Sequence, residues 1–324
     1  MDPHVDEHLD QPLDLLVTEA DAGQRLDRFL VARAQRGGRN QVNEWLRAGR
    51  VSVDGRALRK GDRVQAGQRV RVDPPRHLET AGLVTLPLAT LAPLRVVHED
   101  SAFVVVDKPA GLPTHGHTLA DRHTLTALLV ERYPEMRSVG YRETEPGILH
   151  RLDNDTSGLL VAARTAQAFE TLRDALKANA IDKQYLALCA GPVNAPQVFE
   201  GHLVSDRSAR VKVSALSVKR SRPARTEVLQ SESVGDTQLS LVTLRATHAG
   251  RHQIRAHLAD AGHPLAGDRL YGGPEVEGLT RHFLHASLVS FPHPNTLEPL
   301  AFRSPLPHDL RALLARPPIG DGGA

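Results

Sequence analysis

The run His150-Arg-Leu-Asp-Asn-Asp-Thr-Ser157 sets Asp153 in a polar, charge-rich loop that feeds the apolar stretch Gly158-Leu-Leu-Val-Ala-Ala163. The apolar stretch reads as a strand, and loops held by a rigid strand are where catalytic side chains concentrate. A carboxylate in that setting can act as a nucleophile or can stabilise positive charge on a substrate. Either role needs the ionised form, which a neighbouring cation favours. The plain alternative is a loop cap or turn residue, a part Asp also plays. Tyr185 is the second candidate. It stands just inside a strand, where alternation puts Tyr185, Ala187 and Cys189 on one face and Leu186, Leu188 and Ala190 on the other. A tyrosine offers a flat ring for stacking and a phenol for proton transfer, or simply an aromatic core.

The loop closely resembles the HRLDxxTSGLL signature of the RluA family of pseudouridine synthases, and further segments match that family in order. They are Val97-His-Glu-Asp100 with Val106-Asp-Lys-Pro-Ala-Gly111, Asp182-Lys-Gln-Tyr185, Gly250-Arg-His-Gln-Ile-Arg255, Gly262-His-Pro-Leu-Ala-Gly-Asp-Arg-Leu-Tyr-Gly272, and the closing His285-Ala286 with Phe291-Pro-His-Pro294. The resemblance implies that Asp153 is the nucleophile, that Arg255 is its ion-pair partner, and that Tyr185 stacks on the base and serves as general base. It implies that Arg151 helps fill the space left by a flipped uridine, and that His150 shapes the loop beside the RNA. Lys108 is either a contact to RNA phosphate or a solvated charge. Motif three departs from the family's TGRxHQIR: the Gly250-Arg251 pair is displaced by one position, and Arg251 and Arg255, four apart, would share a helix face.

Isomerising uridine to pseudouridine breaks one bond from ribose to a base nitrogen and makes one to a ring carbon. That balance requires no redox change, metal or cofactor, and none is expected. His115-Gly-His117 with Asp121 and His123 looks like a metal-hydrolase pattern, but its offsets do not fit HxHxDH. No Walker loop is present, and no GxGxxG follows a strand.

The elements that must position these residues fall into segments. Residues 1–20 hold six acids and no Lys or Arg, and read as a disordered acidic tail. Residues 21–73 hold thirteen Lys/Arg against six Asp/Glu, a net of +7, which suits a polyanion. There Leu26, Phe29 and Leu30 mark one helix and Val42, Trp45 and Leu46 a second. Val51-Ser-Val-Asp-Gly55 reads as a strand entering a turn, and Gln68–Val72 alternates like a strand. This order resembles the RNA-binding domain named after small-subunit ribosomal protein S-four, carried by Arg25-Leu26-Asp27, Gly49-Arg-Val-Ser-Val-Asp-Gly55 and Gly67-Gln-Arg-Val70. One departure is Arg39-Asn40-Gln41, where a Ser-Arg-Ser-like start is common. Arg25, Arg28, Arg39, Arg47 and Arg50 are its candidate RNA contacts.

Residues 74–93 read as a proline-bearing linker, 94–317 as the catalytic domain and 318–324 as a flexible tail. The fold class expected is α+β: a mixed, largely antiparallel central sheet flanked by helices, plus the small N-terminal domain. Cys189, the single cysteine, is expected to be a small buried hydrophobe. No secretory signal opens the chain, and Thr80–Leu94 is too short and proline-broken to span a bilayer. A cytoplasmic monomer acting on RNA is expected. Family members with this N-terminal domain mostly modify large-subunit (23S) ribosomal RNA, so that RNA or its ribosomal precursor is the expected partner. Transfer RNA is the alternative substrate, and a non-catalytic ribosome-assembly factor the rival of another class.

Overall fold

The computed structural model describes residues 12–33, 42, 45, 46, 49–57, 61–73, 94–116, 121–205, 210–218, 221–235, 237–247 and 250–314. The chain divides into two units, residues 1–90 with 137–146 and residues 91–136 with 147–324.

In the first unit, α1 (Leu26–Arg33) buries Leu26, Phe29 and Leu30, the i, i+3, i+4 face its sequence advertises. Val42, Trp45 and Leu46 are helical as well. These side chains pack on an antiparallel sheet in the order β1 (Leu13–Leu16), β4 (Arg69–Val72), β2 (Val51–Val53), β3 (Arg56–Ala57). Period-two alternation sends Val70 and Val72 inward and Arg69 and Arg71 to solvent. Asp54 (φ 48°) and Gly55 (φ 77°) turn β2 into β3, the positive-φ pair that a tight hairpin demands.

The segment expected to be a disordered tail is corrected in part. Leu13–Leu16 pairs with β4, Leu13 opposite Val72, and Val17 is buried beside it. The acid count masked a short strand whose Leu13 and Leu15 join the core. Residues 1–11, the linker at 74–93 and the C-terminal 315–324 lie outside the described residues.

The second unit is built on a ten-stranded sheet, ordered β10 (Val211–Ser214), β9 (Gln197–Ser205), β11 (Arg222–Ser233), β12 (Leu239–Thr247), β8 (Asp182–Ala190), β13 (Leu284–Pro292), β7 (Ser157–Ala163), β6 (Phe103–Lys108), β5 (Arg95–Glu99), with β14 (Pro299–Arg303) beside β13. Every pairing is antiparallel except β13 with β7, so the sheet is mixed and largely antiparallel. β7 is buried along its whole length, as its unbroken apolar run requires. Its neighbour α3 (Ala166–Lys177) packs on it through Ala168, Phe169 and Leu172. Thr165 starts that helix by accepting a hydrogen bond from the Ala168 N–H at 3.2 Å, a cap worth about 1 kcal/mol.

The large core covers the sheet face that carries Tyr185, Ala187 and Cys189. It also takes in Leu129 of α2 (Leu125–Arg132) and Leu258 of α4 (Gln253–Asp260). Leu188, on the opposite face, packs with Phe283 and with Leu310 of α5 (His308–Leu314). α4 rests on β9, β10 and β11, and Gly262 (φ 85°) follows it in the left-handed region that ends helices. Among the described residues no helix is long and apolar enough to cross a membrane.

The parallel seam between β7 and β13 depends on Gly158. Its φ is +114°, and a Cβ there would stand 2.3 Å from the Ala286 carbonyl oxygen and 2.6 Å from its nitrogen. Gly158→Ala is therefore expected to destabilise the second unit by roughly 3 kcal/mol, from backbone strain plus overpacking. A lowered urea midpoint of the second-unit transition, followed by circular dichroism, checks this; an unchanged midpoint would show that the seam yields.

Candidate active site

The aspartate loop is held from behind by buried polar groups that capture its backbone. Lys108, at the end of β6, is fully buried, and its ammonium donates to the carbonyls of Pro109 (2.9 Å), Leu112 (2.7 Å) and Asn154 (2.9 Å). Burial pushes the amine down to about 7, while three carbonyls match the three N–H bonds of the charged form. Thr114 brackets Leu152: its hydroxyl donates to the Leu152 carbonyl at 2.8 Å and accepts the Leu152 N–H at 3.2 Å. The buried Nε2 of His150 accepts the Val161 N–H at 3.2 Å. Arg281 donates to the Asp155 carbonyl at 2.8 Å and to Ser157 Oγ at 3.2 Å, and pairs with Asp309 of α5 at 2.8 Å. The result is a loop with little freedom immediately before and after Asp153.

The Asp153 carboxylate faces α4. Arg255 Nη1 donates to Asp153 Oδ2 at 3.0 Å, while its Nε and Nη2 make a bidentate pair with Asp268 at 2.7 and 2.9 Å. The Tyr271 ring lies over the guanidinium, 5.1 Å from its centroid. His252 Nε2 stands 3.9 Å from the same Asp153 oxygen. Burial alone would raise the Asp153 carboxyl, but His252, once acid has protonated it, and Arg255 outweigh burial and hold the group below the usual aspartate value. The arrangement yields a shielded, ionised carboxylate, the state that nucleophilic or electrostatic catalysis requires. The cleft in front of it is lined by Arg151, Tyr185, His252 and Gln253, among others.

Asp153, Tyr185 and Arg255 are thus brought together from three separate elements. Tyr185 is buried in β8 opposite Leu244 of β12 and Ala286 of β13. Burial, and then the Asp153 charge, push its phenol above the ordinary tyrosine value. Arg151 is exposed, with Nη1 3.1 Å from His115 Nε2.

Other expectations are corrected. Lys108 is neither a phosphate contact nor a solvated charge: its donors are spent on backbone carbonyls inside the protein. His150 is buried and shapes the loop from within, so it does not meet RNA. Arg50 is engaged by Glu143 at 2.8 Å and by the Asp73 carbonyl, which leaves it poorly placed for phosphate. Arg39 and Arg47 lie outside the described residues, whereas Arg25 and Arg28 are exposed, Arg25 paired with Asp27. Arg251 does not share a helix face with Arg255, because it occupies a turn and the helix begins only at Gln253.

Three site residues carried no assigned role in the sequence. Asp268 and Tyr271 lay in the Gly-Asp-Arg-Leu-Tyr-Gly segment and His252 beside the Gln-Ile-Arg run, so the signal was present without its geometry.

Arg255 is the shared cation of two buried carboxylates. Arg255→Met is expected to raise the Asp153 carboxyl toward the ordinary aspartate value of roughly 4 or above it, since burial then weighs more. Carbon-13 titration of the labelled Asp153 carboxyl reads this; an unchanged Asp153 would show that Arg255 is not what keeps it ionised.

The family model described as RNA pseudouridylate synthase matches residues 102–260, a span from β6 into α4 that holds Asp153, Tyr185 and Arg255. The chain is 32% identical to the ribosomal large subunit pseudouridine synthase D of Xanthomonas campestris pv. campestris, over 94% of this chain and 94% of that one. It is 36% identical to an RNA pseudouridine synthase of Chloroflexus aurantiacus, over 93% of this chain and 92% of that one. Among solved structures, human RNA pseudouridylate synthase domain containing 1 matches with a TM-score of 0.51 at 26% identity, covering 68% of this chain and 87% of that one. A kinship that runs nearly end to end and takes in the aspartate loop makes this chain a member of the RNA pseudouridine synthase family, of the RluA kind, and an isomerase acting on RNA.

Proposed function

We propose that this enzyme isomerises specific uridines of large-subunit ribosomal RNA, with Asp153 as the nucleophile. The observation that carries the chemistry is the Asp153–Arg255 pair at 3.0 Å, both side chains largely shielded from solvent. A carboxylate held ionised there is ready for attack without first losing a proton. The substrate assignment is supported by the large-subunit synthases among the relatives.

The uridine must leave its stack before the glycosidic bond can reach Asp153. Arg151, exposed beside the loop, is placed to fill the vacated space. Tyr185 offers its ring for stacking against the flipped base. The first unit supplies exposed cations, Arg25 and Arg28 among them, for contacts to phosphate that weaken as salt rises. The reaction is placed in the cytoplasm, with a ribosomal large-subunit precursor as its partner.

The test maps pseudouridines by chemical modification and primer extension on all stable RNA from cells with and without the gene. The deleted strain is complemented with wild type or Asp153→Asn. The expected result is loss of one or a few large-subunit sites, restored by wild type alone. Asp153→Asn protein should still bind the RNA, because its shape is kept and only the charge is lost. Turnover by that variant would sink the nucleophile assignment, and loss at a transfer-RNA position would move the substrate.

A further inference from the structure

Pseudouridine formation leaves one proton to be accounted for. When C1′ moves from N1 to C5, ring carbon C5 carries both the sugar and its original hydrogen, and C6 is double-bonded to N1. Breaking C5–H returns that electron pair to form C5=C6, the C6=N1 pair moves to N1, and N1 takes a proton from solvent. Some group must accept the C5 proton. The ionisable side chains lining the cleft are Arg151, Asp153, Tyr185, His252 and Arg255. The arginines are permanent cations with no acceptor. Asp153 is committed to the sugar or the ring in the proposed mechanism, on which this inference rests. Tyr185 is held as a phenol, which can take up a proton only by giving up its own.

His252 remains, and its hydrogen-bond partners favour one nitrogen as the basic one. The Tyr271 hydroxyl accepts the Val211 N–H at 2.7 Å and donates its single proton to the Val211 carbonyl at 3.2 Å. With that proton on the Val211 carbonyl, His252 Nδ1, 3.2 Å from the same oxygen, is the donor. A neutral His252 then bears its lone pair on Nε2, the nitrogen that faces Asp153 Oδ2 at 3.9 Å. A base in contact with that carboxylate oxygen is within reach of the same nitrogen. The backbone supports a functional reading. His252 sits at φ 53°, a left-handed conformation costing about 1–2 kcal/mol for a residue with a Cβ, and its side chain makes no capping bond to α4 in return.

We infer that His252 Nε2 is the acceptor of the C5 proton. Burial, with Arg255 and Arg251, keeps the ring neutral against the opposing charges of Asp153 and Asp268. Once protonated, it is stabilised by the adjacent Asp153 carboxylate and returns the proton to solvent.

A fluorine at C5 removes the step, because no C5 proton exists to be taken. Large-subunit rRNA transcripts made with uridine or with 5-fluorouridine are therefore compared under single turnover, using the full chain. His252→Asn is suitable because asparagine tolerates the left-handed backbone. It is expected to slow rearrangement to product of the uridine transcript by about 10²-fold or more, and that of the fluorinated one by less than about threefold. The acid limb of the wild-type rate on uridine, below the usual histidine range, should vanish in the variant. An equal fall on both transcripts would mean that His252 only positions Asp153, and no fall on uridine would exclude it; either overturns the inference. Wild type that converts neither transcript would overturn the large-subunit reading beneath it.

Discussion

The structure of the active site depends on how one buried arginine is shared between two carboxylates. Removing charges from water costs several kcal/mol each, so a buried ion survives only when paired and hydrogen-bonded. Arg255 meets that condition with a fork of donors: two grip Asp268 and a third reaches Asp153. Asp268 fixes the guanidinium plane, and the Tyr271 ring covers one side of it. The donor offered to Asp153 is thereby preorganised, and Asp153 can be nucleophilic while staying charged. A lysine would supply charge without the planar fork, and could not hold both acids in fixed directions.

The second constraint is the path of the loop itself. Backbone carbonyls near Asp153 cannot all join a sheet ladder, and a buried carbonyl without a partner is costly. The chain solves this with cations used as internal donors. Lys108 gathers three carbonyls from two loops, and Arg281 joins the Asp155 carbonyl to Ser157 and to α5. Lys108, which by charge looks like an RNA contact, is in this way turned inward. Arg151, by contrast, stays exposed beside the loop.

Much of the fold was legible from periodicity. The spacing of Leu26, Phe29 and Leu30 became α1, the apolar stretch Gly158–Ala163 became β7, and the Arg-Val alternation at Arg69–Val72 became β4. Asp153, Tyr185 and Arg255 were legible because they sit within recognisable local runs. The strand at Leu13–Leu16 was missed because its acids dominated the local composition, while its stability comes from pairing with Val72, far away in sequence. Lys108 was misread for a similar reason, since nothing local says whether a lysine after a strand turns toward solvent or toward carbonyls that arrive from residue 154.

The sequence by itself determined the strands and helices whose periodicity is local, which loop carries the aspartate, and what class of chemistry that loop belongs to. These depend on spacing and side-chain type over a few residues, which the chain displays directly. Only the tertiary structure decided that Arg255 serves two acids, that Lys108 and His150 face inward, and that His252 aims one nitrogen at Asp153. Each of those is set by groups 11 to 102 residues apart or by a backbone angle. Their energies come from desolvation and fixed geometry, which exist only once the sheet has brought β6, β7 and α4 to one side of the same cleft.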